Sequence, residues 1–264
     1  MKPAADVIYI FLHIPKSAGT TFRYHIEQNF PPHEVLGLYR GEGPKMSRED
    51  VFARVSALSP QQRQALRVVY GHEVHHGIHE LFDKPSRYVT FLRDPVDKTI
   101  SFYNYRMQQG IKKNQIDGAR LPSFEEWLAA SPGMHDGMLG DLVKYGFTPG
   151  RDVSDAALAD LFRKFYFVGT TENFDEDAMF LYHQMGVRRF FRDQNKSQRF
   201  LSPGQVERVK ALIAEKTPLD RKLYDYAVAW NRAFRSSHPE FAGIVRKMRL
   251  RRSITSYVQR LLPA

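Results

Sequence analysis

The chain contains no cysteine in its 264 residues. Disulfides, thiolate-bound zinc and thiol nucleophiles are excluded with it, and a cytoplasmic setting is expected. Long apolar runs are missing too, since none approaches the ~18 residues of a membrane-spanning helix. Met1 to Asp6 lack the build of a signal peptide, because the apolar run that follows leads directly into a polar loop. Acidic residues are in deficit: 29 Asp and Glu face 39 Lys and Arg, for a net charge of +10. That balance favours anionic partners such as nucleotides, acidic glycans, nucleic acid or a membrane surface. Internal repeats, low-complexity tracts and a clear domain linker are also absent.

What is present is ordinary for a globular chain, with 42% hydrophobic and 26% charged residues. Apolar or β-rich runs predict strands over 7–12, 67–70, 88–92 and 165–169. Helices are predicted over 20–28, 47–57, 60–66, 95–107, 174–185, 203–216 and 219–236, with Asp94 as the N-cap of the fourth. Strands alternating with helices indicate an α/β fold, a P-loop-like doubly wound parallel sheet flanked by helices. One domain over 1–264 is expected. Within it, the Gly-, Pro- and Met-rich stretch 110–150 reads as a lid or substrate-side insertion. The end, 244–264, reads as a basic amphipathic helix. It either docks its apolar stripe on the domain or lies on an anionic membrane surface or partner.

The most informative stretch is His13-Ile14-Pro15-Lys16-Ser17-Ala18-Gly19-Thr20-Thr21, between the first strand and the first helix. Backbone N–H groups at a helix start, a lysine and several hydroxyls make an anion site. The order is not that of a Walker A loop, because the lysine comes first and the glycine follows it. A 5′-phosphate without magnesium is therefore the better fit. Arg93, at the carboxyl end of a later strand, and Ser101, eight residues on, supply a planar fork and a hydroxyl for a second phosphate. Two phosphate sites in one crevice suggest a nucleotide phosphorylated at both ends of its ribose. Arg93 could instead pair with Asp94 or Asp97.

Tyr70-Gly71-His72 also ends a strand, the predicted one over 67–70, and places a histidine where it could take a proton from an acceptor hydroxyl. The same histidine opens His72-Glu73-Val74-His75-His76, which spells the zinc-protease pattern. That pattern needs a helix to bring both histidines onto one face, and Gly71 and Gly77 bracket it here.

Together these residues resemble the PAPS-dependent sulfotransferases (PAPS is 3′-phosphoadenosine 5′-phosphosulfate). Pro15 to Thr21 is similar to their 5′-phosphosulfate loop, and Arg93 to Tyr103 to their 3′-phosphate motif. The likeness runs nearest to carbohydrate sulfotransferases, in particular the heparan sulfate 2-O-sulfotransferase group. Tyr70-Gly71-His72 is similar to that group's His-Gly-His motif, with tyrosine in place of its first histidine. Phe167 to Glu172 and Asn195 to Arg199 resemble later family segments.

The resemblance implies transfer of a sulfuryl group from PAPS to a hydroxyl of a carbohydrate or glycan, with PAP as product and no metal required. It implies that Pro15, Lys16, Ser17, Ala18, Gly19, Thr20 and Thr21 hold the 5′-phosphate. Lys16 would also meet the charge developing on the bridging oxygen. It further implies Arg93 and Ser101 on the 3′-phosphate, His72 as base, and Lys196, Ser197 and Arg199 closing on the nucleotide. The acceptor is expected to be a hydroxylated glycan, acidic in some cases, and nucleic acid is not expected. Two other readings stay open: a P-loop kinase of a small molecule, and a non-enzymatic polyanion-binding protein.

Overall fold

The computed structural model describes residues 7–39, 46–118, 120–190 and 198–261. In chain order the elements are β1 (Ile8–Leu12), α1 (Gly19–Glu27), β2 (Val35–Gly37), α2 (Arg48–Ser56), α3 (Pro60–Ala65), β3 (Val68–Gly71), β4 (Ser86–Leu92) and α4 (Pro95–Lys112). There follow α5 (Phe124–Ala129), α6 (Gly137–Lys144), α7 (Asp155–Arg163), β5 (Phe167–Thr170), α8 (Phe174–Met185), α9 (Pro203–Lys216), α10 (Pro218–Ser237) and α11 (Phe241–Leu261). The strands pair in parallel in the order β2-β3-β1-β4-β5. This is the expected α/β architecture with a parallel sheet flanked by helices.

Alternation along each strand builds two cores. Ile8, Ile10 and Leu12 of β1 face one layer with Val69, Tyr88 and Leu92, packed against residues of α2, α6, α7 and α10. Tyr9 and Phe11 face the other with Val68, Tyr70, Val89 and Phe91, packed against α1, α8 and α11. A strand's period of two sends neighbours to opposite faces, so a strand covered on both sides must be apolar throughout. All five residues of β1 are buried accordingly.

Two polar devices fix helix positions. Asp136 Oδ1 accepts from the backbone N–H groups of Leu219 and Asp220 at the start of α10 (both 2.8 Å), while Asp220 accepts from Met138 and Leu139 at the start of α6 (2.9 and 2.8 Å). Each carboxylate thus satisfies orphan donors of the other's helix. The first turn of α8 carries Asp175, Glu176 and Asp177, and it draws the basic residues of the later helices: Arg235 to Asp177 at 2.6 Å, Arg249 to Glu176 at 2.6 Å and Arg252 to Asp175 at 3.0 Å. In α11, Phe241, Val245 and Met248 are buried in the second core. Among the described residues, no helix is long and apolar enough to cross a membrane.

Topology locates the crevice. From β1 the chain moves to β2 and returns through β3 to β1's side, then crosses to β4 and β5. Connections therefore diverge on either side of β1, and ligands of open α/β sheets bind at the carboxyl ends of strands at such a point. Three adjacent strands, β3, β1 and β4, end there and release the segments bearing His72, Lys16 and Arg93.

Candidate active site

The loop between β1 and α1 has an unusual backbone. Lys16 and Ala18 lie in the left-handed region (φ 64° and 60°), with Ser17 between them at negative φ. Each such residue costs roughly 1–2 kcal/mol. Alternation of this kind turns successive N–H groups into one concavity, an anion-binding nest. Ser17 is 1% exposed, and its hydroxyl has no hydrogen-bond partner. A buried orphan hydroxyl costs about 1–3 kcal/mol, and a phosphate oxygen in the nest would supply the missing partner. Thr21 is buried beside it and Thr20 is exposed on the first turn of α1.

Gly19 opens that helix against a histidine. A Cβ at Gly19 would lie 1.9 Å from His13 Cδ2 and 2.2 Å from its Nε2. Gly19→Ala must therefore displace the His13 ring or the helix start, at about 1–3 kcal/mol for overpacking. We expect a melting point several degrees lower, at ~2–4 °C per kcal/mol, together with weakened nucleotide binding. A variant that melts and binds like the parent would show that the loop yields freely.

His13, at the head of the lysine stretch but with no role assigned from its motif, and Tyr39, which lies in no motif, hold His72. Nδ1 of His72 lies 2.6 Å from the His13 carbonyl oxygen. A carbonyl only accepts, so Nδ1 carries the hydrogen and the neutral ring presents its lone pair at Nε2. The His13 and His72 rings lie 4.2 Å apart, and Tyr39 meets His72 edge-on at 5.0 Å. His13 Nδ1 is 2.8 Å from the Tyr39 hydroxyl. Burial pushes the His72 pKa below the ordinary imidazole value, against the His13 carbonyl and Glu73, which raise it. Burial, with His72 as the next cause, pushes His13 well below that value. Both rings are thereby biased toward the neutral form.

Tyr70 turns elsewhere: its hydroxyl donates to Glu27 Oε1 on α1 at 2.7 Å. The run after His72 is made of turns rather than helix, up to a short 3-10 turn at Ile78–Leu81. His72 and His76 therefore do not share a helix face as the zinc pattern requires. Among the described residues, no group of three or more His, Asp or Glu side chains is placed to hold a metal ion.

Arg93 leaves β4 and reaches back to the lysine loop, where Nη1 donates to the Lys16 carbonyl oxygen at 3.2 Å. Its neighbour Asp94 is engaged otherwise. One oxygen caps α4 through Val96 and Asp97, and the other meets Arg221 at 2.6 Å. No ion pair of Arg93 with Asp94 or Asp97 forms among the described residues. The Lys16 ammonium lies 4.5 Å from the centre of the Tyr105 ring. Burial, and then Arg93, lowers the Lys16 pKa.

Ser101 is half-buried on α4, about two helical turns past Arg93. It shares a helix face with Asn104 and Tyr105, three and four residues on. Asn104 Oδ1 accepts from the Phe200 N–H at 3.1 Å, which fixes the chain next to Arg199. Arg199 is exposed. Lys196 and Ser197 lie outside the described residues. One helix face thus gathers Lys16 through Tyr105, Ser101 itself and the segment bearing Arg199. A separate cleft of about 600 Å³ is lined by Asp94, Asp97, Glu172, Lys210, Arg221 and Tyr224. Its three carboxylates outnumber its two cations, Lys210 and Arg221, which disfavours a phosphate there.

Comparison with known proteins gives one family. The model described as the sulfotransferase family matches residues 6–225. The fold is similar to a sulfotransferase from Alicyclobacillus acidocaldarius, at 15% identity and a TM-score of 0.44, covering 83% of this chain and 94% of that one. It is also similar to the mouse sulfotransferase SULT7A1 complexed with PAP, at 12% identity and a TM-score of 0.39, covering 85% and 89%. No curated protein matches the sequence.

Proposed function

The chain belongs to the sulfotransferase family and is a sulfuryl-transfer enzyme, and from that premise we propose that it moves the sulfuryl group of PAPS to a hydroxyl of a carbohydrate or glycan. The observation that carries the donor assignment is the buried, unpartnered Ser17 hydroxyl inside a nest of strained backbone. It fits an anion bound through backbone N–H groups at a helix start. In this reading the loop 15–21 holds the 5′-phosphate, while Arg93 and Ser101 hold the 3′-phosphate. Lys196, Ser197 and Arg199 cover the nucleotide.

The donor supplies the sulfuryl group, whose sulfur leaves the bridging oxygen and bonds to the acceptor oxygen. Lys16 offsets the charge that appears on the bridging oxygen, an interaction strongest in the transition state. His72 Nε2 takes the acceptor's proton, and Nδ1, donating to the His13 carbonyl, holds the ring in the tautomer that can do so. Positioning and charge stabilisation carry most of the rest, as in phosphoryl transfer.

The acceptor enters, in this reading, from the side of residues 110–150. Their helix α6 ends at Lys144, whose ammonium lies 3.9 Å from Glu73, the residue after His72. A glycan acceptor accords with the resemblance of the site motifs and with the net charge of +10.

Thermal shift with PAP against ATP–Mg²⁺ tests the donor. At a hundred times its Kd, PAP should stabilise the fold by about 2.7 kcal/mol and raise Tm by roughly 5–10 °C, with a smaller shift for ATP–Mg²⁺. Transfer from labelled PAPS to a panel of hydroxylated acceptors, sugars included, then tests the acceptor. Absence of any PAP or PAPS binding by calorimetry would overturn the proposal.

A further inference from the structure

Tyr105 is 40% exposed, too open to be explained by the core. Its nearest aromatic partner across the helix surface, Phe102, lies 6.4 Å away at a steep angle. Its ring does have one close polar contact, the Lys16 ammonium 4.5 Å from its centre. The other end of that lysine is fixed as well: the backbone is left-handed (φ 64°) and the carbonyl accepts from Arg93. A lysine side chain has four rotatable carbons and, left to water, samples many directions. Here both its root and its head are held. Tyr105 also lies one turn beyond Ser101 on the same face of α4, so the ammonium rests over the helix face that carries Ser101.

We propose that Tyr105 is a positioning residue: its ring holds the Lys16 ammonium over the crevice, poised to move to the bridging oxygen when the donor binds. This rests on the role given to Lys16 above. The attraction is that of a cation for the face of an aromatic quadrupole, so it needs a ring rather than a hydroxyl. It also opposes burial and the Arg93 charge, which both favour a neutral lysine. Without the ring, Lys16 is both less confined and more readily deprotonated.

The test compares Tyr105→Phe, Tyr105→Leu and Lys16→Ala. Tyr105→Phe keeps the ring face and should hold kcat within about twofold, whereas Tyr105→Leu should lose about 3- to 30-fold in kcat. PAP affinity by calorimetry should stay near the parent's in both. In Tyr105→Leu the alkaline fall of kcat should move to lower pH, which a loss of packing alone would not produce. A leucine variant with the parent's kcat and alkaline limb overturns the proposal, as does a phenylalanine variant that falls with it. Lys16→Ala separates the two layers. If it is silent, the catalytic role of Lys16 fails; if it is severe while Tyr105→Leu is silent, only Tyr105 is wrongly placed.

Discussion

His72→Ala is expected to lower kcat by about 10²–10⁴-fold, the usual worth of a general base, and to leave PAP affinity almost unchanged. The separation follows from position. His72 follows β3 and bonds to the His13 backbone, whereas the groups proposed to hold the phosphates follow β1 and β4. The pH profile gives the finer check. The base works in its neutral form, and burial lowers the pKa of His72 below the ordinary value of 6.5. kcat/KM should therefore rise with pH through a point below 6.5 and be flat at neutrality. Glu73 is 3% exposed and favours the protonated ring, so Glu73→Gln should move that limb further to acid. His13 adds a stability effect in the same window. Its folded pKa lies well below 6.5, so the unfolded chain binds the extra proton as pH falls. The stability is complete above the unfolded pKa and is lost as pH drops toward the folded one. Melting points across the same buffers distinguish the two losses. Unchanged turnover in His72→Ala would remove His72 from the base role.

Much of this site was legible because its parts are local. The β1 run, the lysine loop and the start of α1 are contiguous, and Arg93, Asp94, Pro95 and Ser101 lie on one strand end and the helix that follows. Asp94 caps that helix as its sequence context predicts. What escaped is long-range. His13 holds His72 from 59 residues away through its backbone, and a backbone contact leaves no side-chain pattern to read. Tyr39 reaches His13 across 26 residues from a segment without a motif. Tyr105 looks like one more aromatic of α4 until the fold brings Lys16 over it. Among the elements, β2 went unpredicted because Val35–Gly37 is a three-residue edge strand, half-buried and too short to show alternation. The helix α7 also went unpredicted, although Ser154 and the spacing of Leu158, Leu161 and Phe162 carry a cap and an apolar stripe.

Lys16→Ala is the second large effect expected, a loss of about 10²–10³-fold in kcat, the scale seen when one donor to a developing oxyanion is removed. Binding should suffer far less. The 5′-phosphate is held in this reading by backbone N–H groups and the Ser17 hydroxyl, which the substitution leaves in place. PAP, which lacks the sulfuryl group, should then bind within a few-fold of the parent, while turnover of PAPS collapses. That split marks an interaction made mainly in the transition state. The backbone supplies a control. Position 16 sits at φ 64°, where alanine is as strained as lysine and glycine is not. Lys16→Gly should match Lys16→Ala in turnover yet melt at a different temperature, which separates lost charge from altered strain. Lys16→Arg keeps a cation but replaces a compact ammonium with a planar fork, and should recover only part of the rate. If Lys16→Ala weakens PAP binding as much as it slows transfer, the lysine serves as a phosphate anchor, and the charge on the leaving oxygen must be met by another group.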